Sequence, residues 1–194
     1  MAQDAIGTYK LLVIGGSAGS LDVAMKIVAA LPMQMQAAVV VVLHRKNASD
    51  SILTGIFSSR TNLPVKEVED KEALLPATVY IAPPNYHLLV EDEHNFSLDS
   101  SEKIHYSRPS IDVTFESAAE VFGPAAVGIL LSGANADGAA GLQHIKQHGG
   151  YTIVQDPHTA EVGYMPQQAL NLGSIDAVVD GNELPQFVQQ LLTS

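Results

Sequence analysis

The chain of 194 residues is long enough for one domain with a substantial core, and 46% hydrophobic with 16% charged residues is typical of a globular protein. A net charge of −11 argues against a surface for nucleic acid or anionic membranes, and the absence of cysteine excludes disulfides, thiolate catalysis and cysteine-ligated metal sites. The longest apolar stretch, residues 37–43, is too short to cross a bilayer, and the N-terminus lacks a signal-peptide pattern. We therefore expect a cytoplasmic protein without membrane insertion.

The first part of the chain predicts a βαβ unit. Residues 11–14 form an aliphatic run that indicates a buried strand, and the apolar residues after it recur at helical spacing as far as Pro32. The valine-rich residues 37–43 predict a second strand, and a short helix is expected at residues 52–60 behind a cap at Asp50 and Ser51. A strand, a helix and a strand in about thirty residues favour parallel strands covered on both faces.

The middle of the chain has a different pattern, and the α/β alternation then returns. The short β-like segments of the middle are residues 65–68, 78–82, 87–90 and 95–98, with residues 91–94 as the turn of a small antiparallel hairpin that extends the sheet. The later predicted elements are a helix from a Ser110 cap to Phe122, a strand at 125–131, a helix at 138–148 closed by Gly149, a strand at 151–155, a helix with Pro166 at its first position, a strand at 177–179 and a terminal amphipathic helix at 184–191.

These elements together predict one α/β domain. The expected fold is doubly wound, with a mainly parallel sheet flanked by helices and a small antiparallel hairpin as an extension. Residues 1–10 are assigned to an N-terminal extension and residues 11–194 to the domain itself.

The turn after the first strand has the pattern G-x-S-x-G at residues 15–19, with Ser17 at its centre. Such a turn could hold a phosphate or could present the serine as a nucleophile. A dinucleotide site requires G-x-G-x-x-G and an acidic residue at the end of the second strand, where His44, Arg45 and Lys46 stand instead. An arginine could suit a phosphorylated ribose, so the cofactor interpretation is weakened and stays open.

Three strand ends offer the side chains of a catalytic triad. Ser17 follows the first strand, His44 follows the second, and Asp137 lies in the turn after the strand at 125–131. Ligands of doubly wound sheets bind at the carboxyl ends of the strands. A hydroxyl that attacks an acyl carbon needs an imidazole to accept its proton and a carboxylate to fix the imidazole tautomer. The joint placement favours catalysis.

Each of the three residues also has a simpler interpretation. The serine could cap the first helix, the histidine could be structural, and Asp137 could cap the helix that begins near Gly138. The order Ser, His, Asp along the chain differs from the order Ser, acid, His of α/β-hydrolases, so an ordinary esterase or lipase of that fold is a poor match.

Longer stretches of the sequence carry a more specific signal. They are VIGGSAGS, VVLHR, LLPATVYIAPPNYHL, RPSIDVTFESAA, AVGILLSGANADGAAGL and GYMPQQAL. Over nearly the whole chain the sequence resembles the catalytic domain of the chemotaxis protein-glutamate methylesterases of the CheB type. The resemblance implies a nucleophile at Ser17, its histidine at His44 and its aspartate at Asp137. It also implies hydrolysis of glutamyl methyl esters on the cytoplasmic helices of chemoreceptors, with release of methanol, and in many members deamidation of receptor glutamines.

The resemblance also bears on partners. Full-length members carry an N-terminal receiver domain that gates the active site, and residues 1–10 are too few for one. We therefore expect either a stand-alone catalytic domain or a catalytic domain cut from a longer protein. Its expected substrate is a methylated chemoreceptor or receptor-like protein, with a methyltransferase or a separate receiver-type regulator as candidate partners. We expect no metal, no other cofactor and no nucleic acid.

Four further residues are candidates for roles in the site. Ala18 stands where the family has a threonine, and the backbone N–H groups of Ala18 and Ala134 are candidates for an oxyanion hole. Arg108 could bind a receptor carboxylate or pair with an acidic side chain, and Met165 is a candidate for substrate contact. Two other functions stay open: a serine esterase or amidase for another substrate, and a nucleotide-binding signalling module.

Overall fold

In the part of the chain that the computed structural model describes, residues 9–44 and 51–194, seven strands form a parallel central sheet. The predictions for residues 1–8, Arg45, Lys46 and Asp50 lie outside this part. The elements, in chain order, are β1 (Leu11–Gly16), α1 (Leu21–Ala30), β2 (Ala38–Leu43), α2 (Ser51–Ser58), β3 (Val65–Glu67), β4 (Val79–Ile81), β5 (His87–Val90), β6 (Phe96–Asp99), α3 (Ile111–Phe122), β7 (Ala126–Leu130), α4 (Ala139–Gln147), β8 (Tyr151–Gln155), α5 (Tyr164–Leu172), β9 (Ala177–Val179) and α6 (Leu184–Thr193).

The strand order of the main sheet is β3-β4-β2-β1-β7-β8-β9, and each neighbouring pair is parallel. The chain leaves β1 toward one edge through β2 and later returns to the other side of β1 through β7. The carboxyl ends of β2, β1 and β7 therefore lie side by side at the point where the winding direction reverses, which is the usual ligand position in such a fold. The doubly wound α/β class predicted from the sequence is confirmed.

The core lies on both faces of this sheet, because successive side chains of a strand point to opposite faces. Leu11 and Val13 of β1 share one apolar cluster with α3, α4 and α5, whereas Leu12 and Ile14 share the other with α1, α6 and Phe57 of α2. Burial on both faces explains why β1 and β2 are continuous aliphatic runs rather than alternating ones.

The structure assigns the predicted strands in the middle of the chain to two different sheets. The segments at 65–67 and 79–81 join the main sheet as parallel strands β3 and β4, and the predicted hairpin, β5 with β6, forms a separate antiparallel pair in the described part of the chain. The hairpin packs on α3: Thr114 donates a hydrogen bond to the Leu88 carbonyl (2.8 Å), and the N–H of Val90 donates to the Ser117 hydroxyl (3.0 Å). The hairpin is also bonded to the loop before β4, where the Phe96 N–H donates to the Glu72 carbonyl (2.9 Å) and the Leu98 N–H donates to Asp70 Oδ1 (2.9 Å).

One predicted boundary is wrong. Helix α5 begins at Tyr164, so Pro166 is its third residue rather than its first. The N–H groups of the first turn have no partner inside a helix, so a proline at this position removes no helical hydrogen bond.

No helix in residues 9–44 or 51–194 is long and apolar enough to cross a membrane.

Candidate active site

The backbone places Ser17 and His44 next to each other at the carboxyl edge of the sheet. The N–H of Ser17 donates to the Ser132 carbonyl (2.9 Å), and the N–H of His44 donates to the Gly16 carbonyl (3.2 Å). The first bond extends the pairing of β1 with β7, and the second extends the pairing of β1 with β2, in each case just beyond the ends of the strands. Both side chains are thus held by main-chain geometry at the ends of adjacent strands.

The imidazole of His44 is bonded to the carboxylate of Asp137. His44 Nε2 lies 2.7 Å from Asp137 Oδ2, and the side chains are 10% and 0% exposed, respectively. Because an ionised carboxylate only accepts hydrogen bonds, Nε2 carries the proton and Nδ1 is the nitrogen left to accept one. The hydroxyl of Ser17 makes no hydrogen bond to His44 or to any other residue that the structure describes. Such contacts between nucleophile and base often tighten only when substrate binds.

Asp137 is held by the first turn of α3. Its Oδ1 accepts hydrogen bonds from the Ser110 hydroxyl (2.8 Å) and the Asp112 N–H (2.9 Å), and its Oδ2 accepts one from the Ile111 N–H (2.7 Å) besides that from His44. Burial is the largest influence and raises the pKa of the Asp137 carboxyl, but the hydrogen bonds from His44 and the two N–H groups outweigh it, so the pKa lies below its ordinary value. The carboxylate is therefore charged at neutral pH.

Asp112 has the converse position. Its Oδ1 accepts hydrogen bonds from the N–H groups of Gly138 (2.9 Å) and Gly141 (2.7 Å), at the start of α4. Asp112 therefore caps α4, the helix that follows Asp137, and Asp137 caps α3, the helix that contains Asp112. Burial is the largest influence and raises the pKa of the Asp112 carboxyl, and the nearby charge of Asp137 raises it further. The two backbone hydrogen bonds lower it but do not outweigh these influences, so the pKa is raised to about 6.

Two interpretations of the capping residues are corrected by this exchange. Asp137 does not cap the helix that begins near Gly138; it caps α3, because the N-termini of α3 and α4 lie close together. Ser110 is the N-cap residue of α3 but its side chain makes no capping bond, since its hydroxyl is directed to Asp137 instead.

A buried serine that the sequence analysis did not single out joins the loops of the site. The Ser132 hydroxyl donates to the Ala18 carbonyl (2.6 Å) and accepts from the Val162 N–H (2.9 Å), and the Ser132 N–H donates to the Gln155 side chain (3.1 Å). With its carbonyl bonded to Ser17, Ser132 ties the turn after β1 to the loops after β7 and β8. The sequence signal was available, since Ser132 is a hydroxyl residue directly after the apolar run predicted as a strand at residues 125–131.

Gly133 lies close to both Met165 and the candidate nucleophile. A Cβ atom added at Gly133 would lie 2.4 Å from Met165 Cε, 2.6 Å from its Sδ and 3.1 Å from Ser17 Cβ. Met165 is fully buried, and its N–H donates to the Gly133 carbonyl (3.0 Å). In this structure Met165 supports the loop of Gly133 from the interior, and its contact with a substrate stays a prediction.

The two oxyanion candidates are on exposed loops. Ala18 and Ala134 are both exposed, and the N–H of neither donates a hydrogen bond to any residue in the described ranges. The N–H of Ser17 itself is occupied by Ser132. Among the described residues, the N–H groups of Ala18, on the turn of Ser17, and of Ala134, on the loop after β7, therefore have no acceptor, as stabilisation of an oxyanion requires.

Arg108 is hydrogen-bonded to backbone carbonyls of the loop that precedes it. Its Nη1 donates to the carbonyls of Ser100 (2.8 Å) and Ser101 (2.7 Å), and within residues 9–44 and 51–194 it forms no ion pair. Arg108 therefore holds the loop between β6 and α3, and its binding of a carboxylate stays a prediction.

Residues 9–44 and 51–194 contain no group of three or more side chains suited to hold a metal ion.

Comparison with known proteins gives a consistent result. The family model described as CheB methylesterase matches residues 12–188. A putative protein-glutamate methylesterase/protein-glutamine glutaminase of Leptospira interrogans is 42% identical over 183 residues, which are 94% of this chain and 95% of that protein. A protein-glutamate methylesterase/protein-glutamine glutaminase of Thermotoga maritima is 35% identical over 94% of this chain and 54% of its own length. The crystal structure of the Thermotoga maritima CheB methylesterase catalytic domain matches with a TM-score of 0.89 and 34% identity, over 94% of this chain and 98% of that one.

Proposed function

Since this chain belongs to the CheB methylesterase family, we propose that it is a serine hydrolase that converts glutamyl methyl esters of a chemoreceptor-like protein to glutamate and methanol, and that it also deamidates glutamine side chains. The observation that carries the proposal is the 2.7 Å hydrogen bond between His44 and the buried Asp137, beside Ser17 at the strand ends. We assign residues 11–194 to the catalytic domain and residues 1–10 to an extension of it.

The proposed reaction follows from the tautomer of His44. Ser17 Oγ attacks the ester carbon while its proton passes to His44 Nδ1, and the Asp137 carboxylate stabilises the resulting imidazolium through Nε2. The N–H groups of Ala18 and Ala134 bind the oxyanion of the tetrahedral intermediate. Collapse transfers the Nδ1 proton to the departing methoxide and releases methanol, or to the departing amine nitrogen and releases ammonia when the substrate is a glutamine.

The second half of the reaction uses the same groups. A water molecule attacks the acyl-enzyme on Ser17, and its proton passes to His44 Nδ1. The second tetrahedral intermediate expels Ser17 Oγ, which recovers the proton from His44 as the glutamate side chain is released. The cycle therefore leaves both residues in their starting protonation states.

The alternative of a phosphate-binding turn is less favoured by the local hydrogen bonds. Within the described residues, the N–H of Ser17 is bonded to the Ser132 carbonyl and the N–H of Ser20 to the Ser17 carbonyl. With respect to the residues that the structure describes, this leaves the N–H groups of Ala18 and Gly19 without an acceptor in the turn, whereas phosphate loops direct a longer run of consecutive N–H groups at the ligand.

Labelling of Ser17 by a fluorophosphonate probe tests the proposal. Wild-type protein should bind the probe covalently at Ser17 and release methanol from a methylated receptor fragment. Ser17→Ala should lose both activities, with methanol release reduced by at least about 10³-fold. Its free energy of unfolding should change by less than about 0.5 kcal/mol, since the hydroxyl has no partner in the described structure. Ser59→Ala, at an exposed serine after α2, is the matched control.

The substrate and the setting are proposed separately. We propose that the substrate is a methylated chemoreceptor or receptor-like helix in the cytoplasm, with a methyltransferase and a separate receiver-type protein as functional partners. Kinetics on a methylated receptor fragment and on a small glutamyl methyl ester distinguish this from a general esterase. A kcat/KM at least ten times higher for the receptor fragment supports the proposal, and equal values would favour the general esterase.

A further inference from the structure

His87 is a buried histidine outside the candidate triad, at the start of β5. It is 1% exposed, its Nε2 lies 2.8 Å from the Glu102 carbonyl, and its Nδ1 lies 3.1 Å from the N–H of Ser110. A carbonyl oxygen can only accept a hydrogen bond and an N–H can only donate one. The two contacts therefore fix the tautomer of His87, with the proton on Nε2 and the lone pair of Nδ1 directed at Ser110.

The contact with Ser110 leads directly to the candidate active site. Ser110 is fully buried, its N–H donates to His87, and its hydroxyl donates to Asp137 Oδ1 (2.8 Å). The other oxygen of Asp137 accepts the proton of His44 Nε2. A series of hydrogen bonds thus connects His87 through Ser110 and Asp137 to His44, and its first three members are buried.

We propose that His87 is a positioning residue for the hydrolase reaction, because its Nδ1 fixes the Ser110 backbone and so directs the Ser110 hydroxyl at Asp137. This inference rests on the proposed function of Ser17, His44 and Asp137. His87 is not itself a catalytic residue, since both of its ring nitrogens are occupied by backbone groups and it is buried. Its effect on the reaction is through the orientation of the Asp137 carboxylate that His44 requires.

Two amide variants separate the two hydrogen bonds of His87. His87→Asn places its Oδ1 near the position of Nδ1 and can still accept the Ser110 N–H, whereas His87→Gln places its amide near Nε2 and can still donate to the Glu102 carbonyl. We expect His87→Asn to keep kcat within about threefold of wild type. We expect His87→Gln to lower kcat by roughly 10–100-fold with little change in KM, as for other partners that orient a reactive side chain.

Matched controls and a second readout keep the test decisive. His94→Asn and His94→Gln, at an exposed histidine on the turn between β5 and β6, should leave kcat unchanged. The NMR signal of the His44 Nε2 proton reports its hydrogen bond to Asp137 without any turnover. This signal should shift in His87→Gln and stay near its wild-type position in His87→Asn.

The outcomes distinguish the inference from the proposed function. Equal losses in His87→Asn and His87→Gln, or no loss in either, would overturn the positioning role. If neither variant folds, Ser110→Ala, which keeps the N–H that His87 accepts but lacks the hydroxyl, should lower kcat and shift the His44 signal. An unaltered kcat and signal in Ser110→Ala would also overturn the inference. A wild-type protein that hydrolyses no ester would refute the proposed function, and the His44 signal would still test the inference.

Discussion

Replacement of Asp137 by asparagine tests both the chemistry and the architecture of the site. The carboxylate oxygens each accept from the first turn of α3, Oδ1 from the Asp112 N–H and Oδ2 from the Ile111 N–H. An asparagine has a single amide oxygen, so in either orientation its NH₂ group faces one of these two N–H groups. One buried backbone donor therefore loses its acceptor, and the charge that faces the N-terminus of α3 is lost as well.

The magnitude follows from that loss. A buried donor without an acceptor costs about 1–3 kcal/mol, and the lost charge at a helix N-terminus adds about 0.5–2 kcal/mol. We therefore expect Asp137→Asn to lower the free energy of unfolding by about 2–4 kcal/mol. The fall in kcat should reach about 10⁴-fold if the amide nitrogen faces His44, because the proton of the imidazole then moves to Nδ1, the nitrogen that must accept the proton of Ser17.

Asp112→Asn is the matched control. Both backbone N–H groups that Asp112 accepts, those of Gly138 and Gly141, are bonded to the single oxygen Oδ1. One amide oxygen can keep both bonds while the NH₂ group faces the side of His105. Urea unfolding and methanol release at pH 7.5 measure the two variants together. The explanation is refuted if Asp112→Asn loses as much stability as Asp137→Asn, or if Asp137→Asn keeps the wild-type kcat.

Three further predictions concern neighbouring groups. Gly133→Ala should destabilise the fold by about 1–3 kcal/mol in urea unfolding and lower kcat, because its methyl group overlaps Met165 and presses on Ser17. Met165→Ala should cost less stability in the Gly133→Ala protein than in wild type, because the added methyl group fills part of the space that Met165 leaves. Ser132→Ala should cost about 1–3 kcal/mol in urea unfolding and reduce kcat, since it leaves groups of the Ser17 turn and the loop after β8 unpaired. The pKa of Asp112 is raised to about 6 in the folded protein, whereas an aspartate in the unfolded chain titrates near pH 4. Its contribution to stability is therefore greatest below about pH 4 and is lost as the pH rises through 6. The free energy of unfolding of wild type relative to Asp112→Asn should accordingly fall between pH 5 and pH 7.5.

Local patterns in the sequence were sufficient for the elements and for the three candidate triad residues. The strands at Tyr151–Gln155 and Ala177–Val179 have the bounds that the sequence predicts, because each is a short apolar run with clear limits. The candidate triad could be proposed from sequence for a similar reason. Ser17 and His44 directly follow parallel strands, so they lie at the carboxyl edge of the sheet, whatever the distant parts of the chain do. Asp137 lies in the loop that leads from the same edge to the next helix.

Strand pairing and hairpin position depend on contacts far apart in the chain, and here the sequence was less informative. Nothing within Val79–Ile81 indicates that it lies beside β2, and nothing within His87–Val90 indicates that it docks on α3. Thr114 and Ser117 bind the hairpin through their hydroxyls. Their positions in the helix sequence do not indicate this role before the hairpin is placed beside them. Long-range packing decided both positions.

The exchange of caps between Asp112 and Asp137 shows why the site itself could be only partly predicted. From sequence alone, an aspartate just before a helix is expected to cap that helix. The structure departs from this expectation because α3 and α4 meet at backbone distance: a Cβ at Gly141 would lie 2.7 Å from Phe115 Cβ and 2.9 Å from Asp112 Cα. The absence of that one side chain lets the N-termini of both helices share two carboxylates. Asp137 can then accept from α3 and from His44 at the same time, and the contact that stabilises the helix pair is also the contact that orients the imidazole.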